Sequence, residues 1–203
     1  MKQVPVIIVT DGDAAAQVAL EIACYDLDLF FLRPSAGNPT PLSGPETVGY
    51  VLQAPKAPVV VSVDDHGQRG VGPGEEVMEC LLREPRINVL GVLAVASNTR
   101  VKGVPVECSV TAQGKVVDHP VNKAGNSQPL SPLLQGDTVE IMHKHPEVMV
   151  IGCGDVGKMN GLDDKEQGAG ITSRCLQEII DRARHKPKPH PQNANQTGGE
   201  NPK

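Results

Sequence analysis

The sequence predicts an α/β domain built in three layers, and three observations predict it. Short runs rich in Val, Ile and Leu recur along the chain, with stretches of helical spacing between them, and each run ends in small or acidic residues. Continuous apolar runs alternating with helices indicate a parallel sheet covered on both faces. Turns of Asp, Gly, Ser and Asn at the ends of such strands are where α/β proteins place their sites.

The first run, residues 5–9, breaks into Thr10-Asp11-Gly12-Asp13 and feeds a helix expected over 14–25. A second strand is read at 29–32, before Ser35-Ala36-Gly37-Asn38-Pro39-Thr40. The next helix runs through Leu52, opened by Ser43 with Glu46 three residues on and Pro45 in its first turn, the pattern of a capping box. Residues 58–63 make the third strand, before Asp64-Asp65-His66-Gly67, and 74–83 the helix after it. Residues 87–96 form the fourth, before Ser97-Asn98-Thr99. The rhythm then changes: 104–110 and 115–117 alternate around Gln113-Gly114, which reads as a small antiparallel hairpin insertion. A short helix is expected over 138–143, the last strand over 148–151 and a closing helix over 171–184. The architecture expected is therefore a single Rossmann-like three-layer domain with a mainly parallel sheet, spanning 1–185. Residues 186–203, rich in Pro, Asn, Gln and Gly, are expected to be a disordered C-terminal tail.

Composition narrows the function. The 203 residues contain 39% hydrophobic and 21% charged residues, ordinary for a soluble protein, but 2% aromatics and no Trp. A core of Val, Ile, Leu and Ala follows, and base stacking on nucleic acid is disfavoured. The net charge of −5 argues further against nucleic acid and against adsorption to anionic lipid. No run approaches the roughly 18 apolar residues of a spanning helix, so no direct membrane insertion is expected, and no signal peptide is read. The five cysteines lack any CxxC spacing and read as buried thiols.

Right-handed crossovers bring the carboxyl ends of parallel strands to one edge of the sheet, so the polar turns should converge there. Asp11, Asp13, Asp64, Asp65 and Asp155 are the candidate ligands of a divalent cation, Mg or Ca, since both take hard oxygen donors. The competing reading is that Asp11 and Asp13 cap the helix after them and that Asp64 and Asp65 organise a turn. Ser35, Asn38, Thr40, Ser97 and Asn98 complete the expected rim as ligand-binding residues. Gly70, Gly72 and Gly74, in DDHGQRGVGPGEE, would expose successive amides to an anion at a helix start. In GCGDVGK, Gly154 joins the rim and Lys158 is placed to balance the acids or to hold an anionic ligand, although a solvent-facing lysine is the favoured reading. Its match to G-x-G-x-x-G is read as accidental, because no helix follows at once. No nucleophile elbow and no H-E-x-x-H is present; His66 is the one histidine placed at the rim, and the H-K-H at 143–145 reads as a solvated loop.

The ordered set VTDGD (9–13), SAGNPT (35–40), DDHGQRGVGPGE (64–75), VLGVLAVASNT (89–99), GDTV (136–139), GCGDVGKMNG (152–161) and ITSRCLQEIIDRA (171–183) resembles the soluble stage V sporulation protein AE family. The resemblance implies a non-enzymatic subunit of a spore inner-membrane complex that supports germination and calcium–dipicolinic acid movement. It implies partners among the membrane proteins of the same sporulation operon, with the germinant receptor complex and a homo-oligomer as further partner classes. It implies a place in the bacterial spore, soluble or held peripherally at the inner membrane through those partners. The alternative is a divalent-metal-dependent enzyme acting on a phosphate-containing small molecule. Acidic turns at adjacent strand ends are similar to those of metal-dependent toprim domains, although here Asp-Gly-Asp comes first and Asp64-Asp65 later.

Overall fold

The computed structural model describes residues 2–68, 70–99 and 102–185; the expected disordered tail lies outside the described residues. The first strand, β1 (Val4–Val9), carries four consecutive fully buried residues from Val6 to Val9. Helix α1 (Ala14–Asp26) starts where Asp13 caps it, and its inward face is Ala16, Ala19, Leu20, Ala23 and Cys24, the three-and-four spacing of one helix side. Small side chains on that face let the helix lie close to the sheet. Next come β2 (Phe30–Phe31), α2 (Gly44–Leu52) and β3 (Val59–Ser62). The expected capping box of α2 is present, with Glu46 Oε2 accepting the Ser43 N–H at 2.9 Å. Helix α3 (Pro73–Arg83) has Pro73 at its first position, where a missing N–H costs nothing. Strand β4 (Ile87–Val95) follows, then β5 (Cys108–Val110), β6 (Val116–Val117), β7 (Val150–Cys153) and α4 (Gly170–His185).

The sheet runs β2-β3-β1-β4-β7-β5-β6, and every neighbouring pair is parallel except β5 with β6. Alternate strand residues face opposite layers. Ile7, Val9, Leu93 and Ile151 pack under α1 and α4, whereas Val6, Ile8, Val61 and Val92 pack under α2 and α3. Each fully buried Ile or Leu contributes about 1.5–3 kcal/mol, which is how an almost aromatic-free core holds the fold.

Three elements differ from the sequence expectation. The last strand is shifted toward its C-terminus, because Gly152 lies inside it: a Cβ there would fall 2.4 Å from Ser109 Oγ of the neighbouring strand. Glycine in this run serves close approach rather than a turn. The hairpin is also only half of an excursion. Thr111–Lys115 makes the expected turn, with Gly114 at φ 72, but β5 pairs in parallel with β7 and Val104 pairs with Leu134 in an isolated bridge. The short helix expected over 138–143 is a 3-10 turn at Glu140–Lys144.

Candidate functional site

Neighbouring strands β1 and β3 send their following helices to opposite faces of the sheet, α1 to one and α3 to the other. Their turns meet at the switch point, where other open α/β sheets form a crevice, and here that crevice is filled: Gly12 N–H bonds Asp64 and the Ser62 hydroxyl bonds the Asp11 carbonyl across it. Asp11 and Asp13 enter from β1, Asp64 and Asp65 from β3. The connection after β7 brings Asp155 and Lys158 alongside.

The carboxylates fall into two groups. Asp13 caps α1 through Oδ1, which accepts the Ala15 and Ala16 amides at 2.9 and 3.0 Å, and its other oxygen bonds to Lys158 Nζ. The same ammonium lies 2.9 Å from Asp155 Oδ1, and Asp155 Oδ2 lies 3.5 Å from Lys123 Nζ. Asp64 turns to the backbone instead, accepting Gly12 N–H at 3.1 Å and His66 N–H at 2.7 Å. Gly12 is required here: a Cβ would stand 2.2 Å from the Gly37 carbonyl oxygen and 3.1 Å from Asp64 Cβ. In the second group, Asp65 Oδ1 accepts Gly74 N–H at 2.6 Å at the start of α3, and Glu75 Oε1 accepts Ile141 N–H at 3.1 Å. Thr138 accepts the Asp65 amide at 3.0 Å while held at φ 56, an unusual conformation for a β-branched residue.

Burial, then the neighbouring Asp13 charge, pushes the Asp11 carboxyl up from its ordinary 3.8 to about 7, against the pull of Lys158. Burial likewise raises Asp64, Asp65 and Glu75, each partly offset by the amides that donate to it. Asp13 goes the other way: burial works to raise it, but the Lys158 hydrogen bond and the α1 amides hold it below the ordinary range. Lys158, in spite of burial, is raised by Asp13 and Asp155 and stays charged. The crevice thus pairs one fixed ion cluster with a carboxyl, Asp11, that changes charge near neutrality.

The other expected rim residues divide between scaffold and surface. Ser35 is fully buried and structural, donating to the Leu32 carbonyl at 2.7 Å and accepting Ser62 N–H at 3.0 Å. Thr40 bonds the Asp64 backbone through both its amide and its hydroxyl, tying the 35–40 loop to β3, and Asn38 contacts His66 beside the crevice. Ser97 accepts Asp137 N–H at 3.1 Å. Asn98 lines a separate polar cavity of about 320 Å3 with Lys123, Asp155 and Asn160. The glycine-loop amides read as an anion cradle are taken by the chain's own acids: Gly70 donates to Glu140 at 3.3 Å, Gly74 to Asp65, and Gly72 is the α3 cap residue. Gly154 allows close packing, since a Cβ would stand 2.7 Å from Gly125 N. Among the described residues no group of three or more His, Cys, Asp or Glu is arranged to hold a metal ion. The five aspartates expected as ligands are each engaged as above: Asp13 and Asp155 by Lys158, Asp64 and Asp65 by backbone amides, and Asp11 by the Asp13 amide at 3.3 Å.

One residue escaped the sequence reading and another is placed differently from it. Asp163 is fully buried and accepts Ile171 and Thr172 N–H at 2.9 Å through Oδ1, and Gly157 N–H at 2.9 Å and the Thr172 hydroxyl at 2.6 Å through Oδ2. It caps α4 from seven residues before the helix begins, beyond the reach of a local capping pattern. His145 bonds Glu79 of α3 at 2.8 Å rather than lying in a solvated loop.

An α/β/α sandwich with an acidic crevice at the switch between two central strands is the class that fold and site define. Within that class the chain belongs to the stage V sporulation protein AE1 family, whose model matches residues 5–183. Its role is therefore in sporulation. No curated protein and no solved structure matches the chain.

Proposed function

We propose that the chain is a non-enzymatic subunit that works by protein contact at the spore inner membrane, with the membrane proteins of its own operon as partners. In this reading it supports germination and the movement of calcium and dipicolinic acid without carrying either across the bilayer itself. Among the described residues no helix is long and apolar enough to cross a membrane, so contact with such a complex goes through its proteins. The observation that carries the reading is the mutual commitment of the crevice groups: Lys158 answers Asp13 and Asp155, and the loop amides answer Asp65 and Glu140. Charged groups that close on one another stiffen the rim as a shaped surface. The exposed groups above the buried Asp11 and Asp64, His66 and Asn38, take a small ligand or a loop of the partner.

The test is fractionation of spores carrying the tagged full chain. The chain is expected in the inner-membrane fraction, released by alkaline carbonate but not by a neutral buffer wash. Recovery free of membranes in every extract would contradict the proposal.

A further inference from the structure

The chain has only four aromatic residues, Tyr25, Phe30, Phe31 and Tyr50, and the fold gathers the first three at one edge of the sheet. Phe30 and Phe31 are the whole of β2, the outermost strand beside β3. Phe31 packs toward the α1 layer and Phe30 toward the α2 layer. Tyr25 ends α1 and is 87% exposed; Tyr50 lies on α2 and is 49% exposed. Elsewhere the core is built from aliphatic side chains, so folding does not explain this concentration. Aromatic residues are the side chains enriched where proteins bury a surface against one another.

The edge also has a shape and a charge pattern. Glu21, Tyr25, Asp28, Phe31, Arg33 and Lys56 line a shallow hollow of about 390 Å3 between α1 and β2. Its charges form two opposite pairs, Arg33 Nε with Glu21 Oε1 at 3.0 Å and Lys56 Nζ with Asp28 Oδ1. The patch is neutral on a chain whose net charge is −5. Copies of an acidic protein repel over most of their surface and approach best where the charge cancels. A twofold contact further requires a patch complementary to itself, and one holding two cations and two anions around an apolar centre meets that requirement. The amides of Phe30 and Leu32 bond inward to β3, so by alternation the backbone of residue 31 faces outward at the same place.

We propose that this edge is the twofold face of a homodimer, in which Tyr25 of each copy enters the α1–β2 hollow of the other while Arg33 and Lys56 meet Glu21 and Asp28 across the axis. The contact lies away from the acidic crevice and is independent of the function proposed above.

Sedimentation velocity of the full chain over about 1–100 µM tests it, with three variants beside the wild type. The wild type is expected to shift with concentration from 21.5 kDa toward twice that mass. Tyr25→Asp is expected to weaken the dimer at least about 30-fold, the scale of a lost interface anchor. Arg33→Glu is expected to weaken it too, with partial recovery in Glu21→Arg/Arg33→Glu. Leu130→Asp, at a residue 98% exposed in the segment after β6, controls for exposed apolar residues and should leave the dimer intact. Circular dichroism confirms that each variant folds. A wild type that stays monomeric throughout, a dimer indifferent to Tyr25→Asp, or one abolished by Leu130→Asp overturns the proposal.

Discussion

Replacing Asp11 by Asn separates the charge of this carboxyl from its shape, because the amide keeps an oxygen for the Asp13 N–H. A buried acid whose pKa rises from 3.8 unfolded to about 7 folded stabilises only while protonated. That stability is fully present below about pH 3.8 and is lost as pH rises through about 7. The shift spans roughly three pH decades at about 1.4 kcal/mol each, so ionisation of Asp11 costs up to about 4 kcal/mol at pH 8. At pH 5 the cost is between about 1 and 2 kcal/mol, and near pH 3 it vanishes. Urea unfolding of wild type and Asp11→Asn at pH 3.5, 5, 6.5 and 8 reads this directly. The variant's advantage should grow with pH by about 3 kcal/mol between pH 5 and 8 and then level off. An advantage that does not change with pH would refute the claim that the crevice holds Asp11 protonated near neutrality.

Other perturbations probe the neighbouring groups. Lys158→Met should raise the Asp13 pKa, detectable by carboxyl-carbon NMR. Because the wild-type Asp13 pKa is depressed, its stability is present above about 3.8 and lost as pH falls through the folded value. The variant should therefore lose about 1 kcal/mol at pH 7, discounted for the partial exposure of the pair, and progressively less as pH falls through the folded Asp13 value. Asp163→Ala removes four buried hydrogen bonds and should cost about 3–5 kcal/mol in chemical denaturation, with Asp163→Asn milder. Gly12→Ala should cost more than about 2 kcal/mol and speed amide exchange in the 35–40 loop, because its methyl meets the Gly37 carbonyl. Calorimetric titration with magnesium or calcium should give no binding tighter than about millimolar, the range of weak calcium modules. Tight binding lost in both Asp11→Asn and Asp64→Asn would restore a metal-centred account.

Much of the fold is legible because its signals are local. Runs such as VIIV and VVVSV declare buried strands, Ser43 with Glu46 declares a helix start, and parallel strands with helices between them oblige their carboxyl ends to share an edge. Asp11, Asp64 and Asp155 can be placed on that edge without coordinates. What each carboxylate does there depends on contacts remote in sequence: Lys158 reaches Asp13 across 145 positions, and Asp64 holds Gly12 across 52. The glycine loop shows the limit most plainly. Its composition suits an anion cradle, yet its amides serve Asp65 and Glu140, and no spacing rule foretells that choice. Gly152 misled for a similar reason, since its neighbour Ser109 lies two strands away in the order of the chain.

The proposed contact of this chain with membrane proteins encoded beside it can be read on intact spores. Crosslinking mass spectrometry on intact spores, using a lysine-reactive reagent on the wild-type full chain, measures it most directly. Crosslinks are expected from Lys123, beside Asp155, to membrane proteins of the same operon. Crosslinks confined to the chain itself, in spores where those membrane proteins crosslink to one another, would contradict it.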